Sequence, residues 1–164
     1  MTVASVRAQI ITFLNGIPGI TTLYRDAPYE LTGDNWQSNS LPGTPAFVHV
    51  DQSDESRLTV PAGTGWKHVE YSVAFMALYQ YWIPDGATAK DEWVTGQDQL
   101  VDAIVGKIRS DPAFGSVAGS PIFEAGNQDS GIRVVRDMPH WDQGGGKVMA
   151  WFRIEFRVTE LVQA

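Results

Sequence analysis

Three histidines, a cluster of acids, a glycine-rich run ending in lysine and six tryptophans are the residues best suited to chemistry or contact. Gly144-Gly145-Gly146-Lys147 resembles a phosphate-binding loop only superficially. It lacks the hydroxyl residue after the lysine and the leading glycine at the required spacing, and it opens a strand rather than a helix. A hairpin connection is the simpler reading. His49, His68 and His140 show neither HExxH nor paired-helix spacing. His49 and His68 fall in neighbouring strands, with Asp51 two residues after His49, and strand histidines of this kind are usually solvated or hydrogen-bonded. Asp51, Asp54 and Glu55 crowd a polar stretch that lacks the glycine and terminal glutamate of a calcium loop. No Gly-x-Ser-x-Gly elbow is present, and the absence of cysteine removes thiolate chemistry altogether. The expectation is a protein with no catalytic residues, no cofactor and no metal, and not an enzyme. A hydrolase using two of the scattered carboxylates is the catalytic alternative.

The tryptophans divide into two groups. Trp66, Trp82, Trp93 and Trp151 lie in or at the ends of regular elements, where packing is expected. Trp36 and Trp141 lie in two polar, glycine-containing loops, 27–45 and 138–146. Aromatic residues on such loops suit protein contacts, since they bury much area at low entropic cost. Both loops are expected to be mobile in the free chain and ordered by neighbours. A sugar-binding module would use the same aromatics, but two well-signalled helices argue against a β-sandwich of that type.

These residues need a scaffold, and the composition supports one. At 164 residues, 43% hydrophobic and 19% charged, the chain fits a single domain spanning 1–164 with a packed core. Its net charge of −7 argues against a general nucleic-acid surface. No apolar run approaches the length of a membrane span, and the N-terminus lacks the pattern of a signal peptide.

The first element is a helix capped by Thr2, with Val3, Val6, Ile10, Phe13 and Leu14 at helical spacing, and Gly16 and Pro18 ending it. An extended stretch, Thr21 to Tyr24, precedes the first loop. Alternation then predicts strands over Ala46–Asp51 and Arg57–Val60, with a polar turn at Gln52–Ser56 between them. Trp66 to Trp82 is a long strand whose Val69, Tyr71, Val73 and Phe75 share one face. Beyond Ala74 both faces are apolar, so that end should be covered twice. A second helix begins near Thr88, where Thr88 and Asp91 approximate a capping box, and it buries Trp93, Leu100, Val101, Ile104 and Ile108. Gly96 and Gly106 inside it suggest close packing against a neighbour. Strands at Pro121–Ala125 and Ile132–Arg136 follow, around a turn at 126–131.

The closing strand, Lys147 to Leu161, points Val148, Ala150, Phe152, Ile154, Phe156 and Val158 to the core. Arg153, Glu155 and Arg157 face the other way, and they join Trp36 and Trp141 as candidates for a subunit or partner interface. The order α-β-β-β-α-β-β-β, without βαβ alternation, predicts an α+β fold: a mostly antiparallel sheet with two helices packed on one face.

Taken together, the helix Val6-Arg7-Ala8-Gln9-Ile10-Ile11-Thr12-Phe13-Leu14, the extended Tyr24-Arg25-Asp26 and the strand Pro45-Ala46-Phe47-Val48 form a familiar series. It continues with Glu70-Tyr71-Ser72-Val73-Ala74-Phe75, an acidic helix and the closing Phe152-Arg153-Ile154-Glu155-Phe156-Arg157-Val158. The whole pattern resembles the tail terminator proteins of long-tailed bacteriophages, especially those of actinobacteria. The resemblance implies a homo-oligomeric ring, typically a hexamer, that caps the tail tube at the head–tail junction of the virion. Its partners would be the tail tube protein and a head-completion or neck protein, assembled in the host cytoplasm. DNA would pass through the ring without specific binding, and an acidic wall is compatible with that passage. Another head-closure or neck protein is the alternative within the same class.

Overall fold

The computed structural model describes residues 2–38, 40–58, 65–83, 92–111, 113–114, 124–125, 131–142 and 146–163. The expected cap at Thr88 and Asp91, the turns at 61–64 and 84–86, residues 59–60, Pro112 and the segments 121–123 and 126–130 lie outside them. The fold is α+β. Among the described residues two helices, α1 (Val3–Leu14) and α2 (Glu92–Ser110), accompany seven strands. These are β1 (Thr22–Tyr24), β2 (Pro45–Leu58), β3 (Trp66–Trp82), β4 (Glu124–Ala125), β5 (Arg133–Arg136), β6 (His140–Asp142) and β7 (Lys147–Gln163).

Helix α1 begins where a reciprocal cap satisfies its orphan donors. The Thr2 hydroxyl accepts from the Ser5 backbone N–H at 3.3 Å, and the Ser5 hydroxyl accepts from the Thr2 N–H at 2.9 Å. Val6, Ile10 and Leu14 form its buried stripe, and Gly16 follows with φ of 80°. Helix α2 buries Gln97, Leu100, Val101, Ile104 and Ile108, while Trp93 is half-buried. Both stripes pack on the same face of the sheet, against Val48, Val50, Tyr71, Val73, Phe75, Phe152, Ile154, Phe156 and Val158. Each large side chain fully buried there contributes about 1.5–3 kcal/mol. Gly96 meets the Tyr79 hydroxyl, which a Cβ would overlap, so this glycine does mark a close approach. Gly106 has nothing within 4 Å of the Cβ position, and close packing does not explain it.

The sheet runs β1-β2-β3-β7, and β6, β5 and β4 pair in series along the outer edge of β7. All pairs are antiparallel except β1–β2, which is parallel. The sheet is therefore mixed, because the extended stretch 22–24 enters it rather than merely preceding it.

Two further expectations are corrected. The polar stretch Gln52–Ser56 is not a turn: β2 continues through it, paired with β3 from Ala46↔Ala77 to Leu58↔Trp66. A register shift between Gln52 and Asp54 puts Gln52 opposite Tyr71 and Glu55 opposite Val69. This bulge places two polar residues on the core side and breaks the alternation, which is why the sequence pattern imitates a turn. The loop 138–146 is likewise interrupted by β6, so the order is α-β-β-β-α-β-β-β-β.

Among the described residues, the second face of the sheet is covered over only part of its length. Residues 29–38 form two 3-10 turns, Tyr29–Leu31 and Asn35–Ser38, that lay Leu31 and Trp36 over Phe47, Leu78, Met149 and Trp151. This is the double coverage predicted beyond Ala74. The Gln80 side chain fastens the segment by donating to the carbonyls of Leu41 at 3.0 Å and Gly43 at 2.7 Å. Lys147 in turn donates to Gln80 Oε1 at 3.0 Å, so the end of the glycine-rich run is a buried structural tie.

Candidate functional site

Beyond that cover, the same face of the sheet is polar and, among the described residues, open. Register explains its shape. Asp51, Ser72 and Arg157 stand side by side on β2, β3 and β7, as do His49, Ala74 and Glu155. The middle strand contributes the small Ser72 and Ala74, while its neighbours contribute long polar side chains. The result is a groove of about 470 Å³ along β3, with Arg133 and Gly131 at its β5 side.

Its walls are held by ion pairs. Arg157 meets Glu70 at 2.9 Å, Arg153 meets Glu155 at 2.9 Å, and Arg133 reaches Glu155 at 3.7 Å. On the opposite wall His49 Nε2 lies 2.8 Å from Asp51 Oδ2. The arginines, His49 and Asp51 are largely solvent-exposed and Glu70 and Glu155 are half-buried, so each pair is worth about 1 kcal/mol. They keep the charges in fixed places more than they stabilise the chain.

The structure thus brings Arg153, Glu155 and Arg157 together, places Trp36 on the adjoining covered part of the same face, and puts Trp141 on the other face. Trp36 packs edge-on against His140, with ring centroids 5.6 Å apart, and against Trp151 at 6.2 Å. Trp141 is opposite Val148 on β7, hence on the helix side of the sheet, and stays 43% exposed. Trp82, expected to be packed, is 62% exposed, with the Lys147 ammonium 5.2 Å from its ring centre. Replacing Trp36 with alanine is expected to cost about 2 kcal/mol through lost packing, against less than about 1 kcal/mol for Trp141→Ala. Urea denaturation of both variants checks this, and equal losses would contradict the placement.

Sequence reasoning did not single out Arg133, Glu70, Ser72 or Ala74 as parts of this face. The signal available was the polar run His68, Glu70, Ser72 opposite an apolar one, but its alignment with β7 needed the strand pairing. The histidines do not converge. His68 lies six residues from Ala74 along β3, roughly 20 Å from the His49 position. Among the described residues no three His, Asp or Glu side chains are placed to hold a metal ion.

On the helix side one buried polar pair stands apart. Tyr71 donates to Glu160 Oε2 at 3.1 Å, and both residues are almost wholly buried. Burial, and then the Glu160 charge, pushes the Tyr71 hydroxyl up to about 12 from its ordinary 10. A pKa raised by folding contributes stability that is complete below pH 10 and is lost as pH rises through 12. The expected loss by pH 12 is about 2 kcal/mol. Urea melts at pH 9 and pH 12 should show it, and Tyr71→Phe should lose less over the same interval.

No protein-family model matches this sequence, and no characterised protein matches it significantly.

Proposed function

We propose that this chain is a ring-forming tail terminator of a long-tailed bacteriophage, which caps the tail tube and joins it to the head-completion proteins. The observation that carries the reading is the likeness of nearly the whole chain to such proteins, from the α1 sequence to the closing β7. Its surfaces suit the role: a charged sheet face shaped by fixed ion pairs offers specificity and orientation to protein partners rather than a reaction centre. The function is mechanical, and the charged face would meet a neighbouring virion protein or line the passage for DNA.

Deleting the gene from its phage is the direct test. Filled heads without tails, together with tubes of abnormal length, are the expected outcome in electron micrographs. Tails of normal and uniform length would overturn the proposal. Heads that fail to retain DNA would assign the chain to the neck instead.

A further inference from the structure

We infer that residues 25–38 and 40–43 form a strap that opens from the sheet as a unit and is held shut by a Lys147–Gln80 latch. Its two ends stand side by side, because Tyr24 pairs with Phe47 and Thr22 with Pro45 on adjacent strands. Its two turns close on themselves. The Leu31 N–H donates to the Pro28 carbonyl at 2.9 Å, the Thr32 N–H to Tyr29 at 3.1 Å and the Asn35 N–H to Thr32 at 3.1 Å. The Thr32 hydroxyl also donates to the Tyr29 carbonyl, at 2.7 Å. Lifting the strap leaves these bonds intact. Among residues 25–38 Leu31 is the one buried residue, and Trp36 is half-buried. A segment with self-contained hydrogen bonds and little buried apolar area opens locally at far less cost than the whole chain unfolds.

The latch is polar and directional. The Gln80 amide nitrogen donates to the carbonyls of Leu41 and Gly43, and its oxygen accepts from the Lys147 ammonium at 3.0 Å. Turned over, the amide would set its oxygen against two carbonyl oxygens and its N–H groups against an ammonium. Lys147 therefore fixes the sense in which Gln80 grips the strap. Both side chains are buried, so loss of either partner leaves a polar group poorly satisfied. Opening changes the face of the sheet. Ser72, Ala74, Met76 and Leu78 succeed one another on that face of β3, and the first two floor the open groove. Leu78 and Met149 are wholly buried under the strap, beside Phe47 and Trp151. With the strap lifted, the polar groove continues into an apolar furrow along β3. All of these contacts lie within one chain, so they hold whether or not it forms a ring.

The cysteine-free chain permits a direct test. Met149→Cys puts a thiol under the strap, whereas Ala150→Cys puts one on the helix side of the same strand, where the native residue is 1% exposed. Each full-length variant is labelled with a thiol reagent, without denaturant and at low urea concentrations. The thiol of Met149→Cys should react roughly tenfold faster than that of Ala150→Cys, at a rate that low urea hardly changes. Adding Lys147→Met should raise that rate roughly tenfold again. Gln80→Glu should do the same, since it keeps an acceptor for Lys147 but removes the donors to the strap. Labelling of Ala150→Cys in each background reports unfolding of the whole chain. Equal rates for the two thiols with the latch intact would overturn the strap. A rate ratio left unchanged by Lys147→Met and by Gln80→Glu would overturn the latch.

Discussion

Arg157→Glu is expected to abolish head–tail joining while the isolated chain still melts close to the wild type. Arg157 projects from β7 away from the core, is more than half exposed, and is held by Glu70 at 2.9 Å. Reversing its charge exchanges a partly exposed attraction for a partly exposed repulsion, which alters stability by about 1 kcal/mol. At an interface the same change leaves a partner's acid facing an acid. Where the contact excludes water, that costs about 2–5 kcal/mol per site, and a ring repeats the cost in every subunit. Arg153→Glu should behave similarly, since Arg153 pairs with Glu155 on the same exposed face. The measurement is thermal melting of each purified variant beside complementation of the deleted phage. Full complementation by both variants would mean that this face meets only solvent. A large drop in melting temperature would mean that the arginines support the fold instead.

The second large effect concerns Gly43. Its φ of 63° lies in the left-handed region, and a Cβ there would overlap Thr21 Oγ1 and stand 2.9 Å from Thr21 Cβ. Thr21 cannot simply turn aside, because its hydroxyl accepts from the Thr44 N–H at 2.9 Å and its own N–H donates to the Thr44 carbonyl at 3.0 Å. These bonds align β1 with β2. Gly43→Ala should therefore cost about 3 kcal/mol, roughly 1 from backbone strain and the rest from the clash. Gly33 supplies the control, since its φ is 55° but nothing lies within 4 Å of its Cβ position. Gly33→Ala should cost only the strain, about 1 kcal/mol. Denaturant titration distinguishes the two, and equal losses would show that Thr21 yields.

Much of the fold was legible in the residue order because its signals are local. The helical spacing of Val6, Ile10 and Leu14, with Thr2 ahead and Gly16 behind, is enough to place α1. Strict alternation from Val148 to Val158 specifies both the strand and its two faces, since a pleated strand has a period of two. The apolar run after Ala74 announced a second cover without saying what provides it. Where alternation failed, so did the reading. The bulge between Gln52 and Asp54 put Gln52 and Glu55 on the helix side of the sheet, and a continuous strand looked like a turn.

Tertiary pairing decided the rest. That Trp36 serves as part of a lid over Trp151, whereas Trp141 lies on the other face of the sheet, depends on contacts between residues far apart in the chain. The charged groove depends on them equally. Residue types alone identified Arg153, Glu155 and Arg157 as facing away from the core. Only the register of three strands sets Asp51, Ser72 and Arg157 in one row and His49, Ala74 and Glu155 in the next. A strand's own sequence determines which face each side chain takes, but the neighbours on that face come from pairings that loop closure and core burial select together.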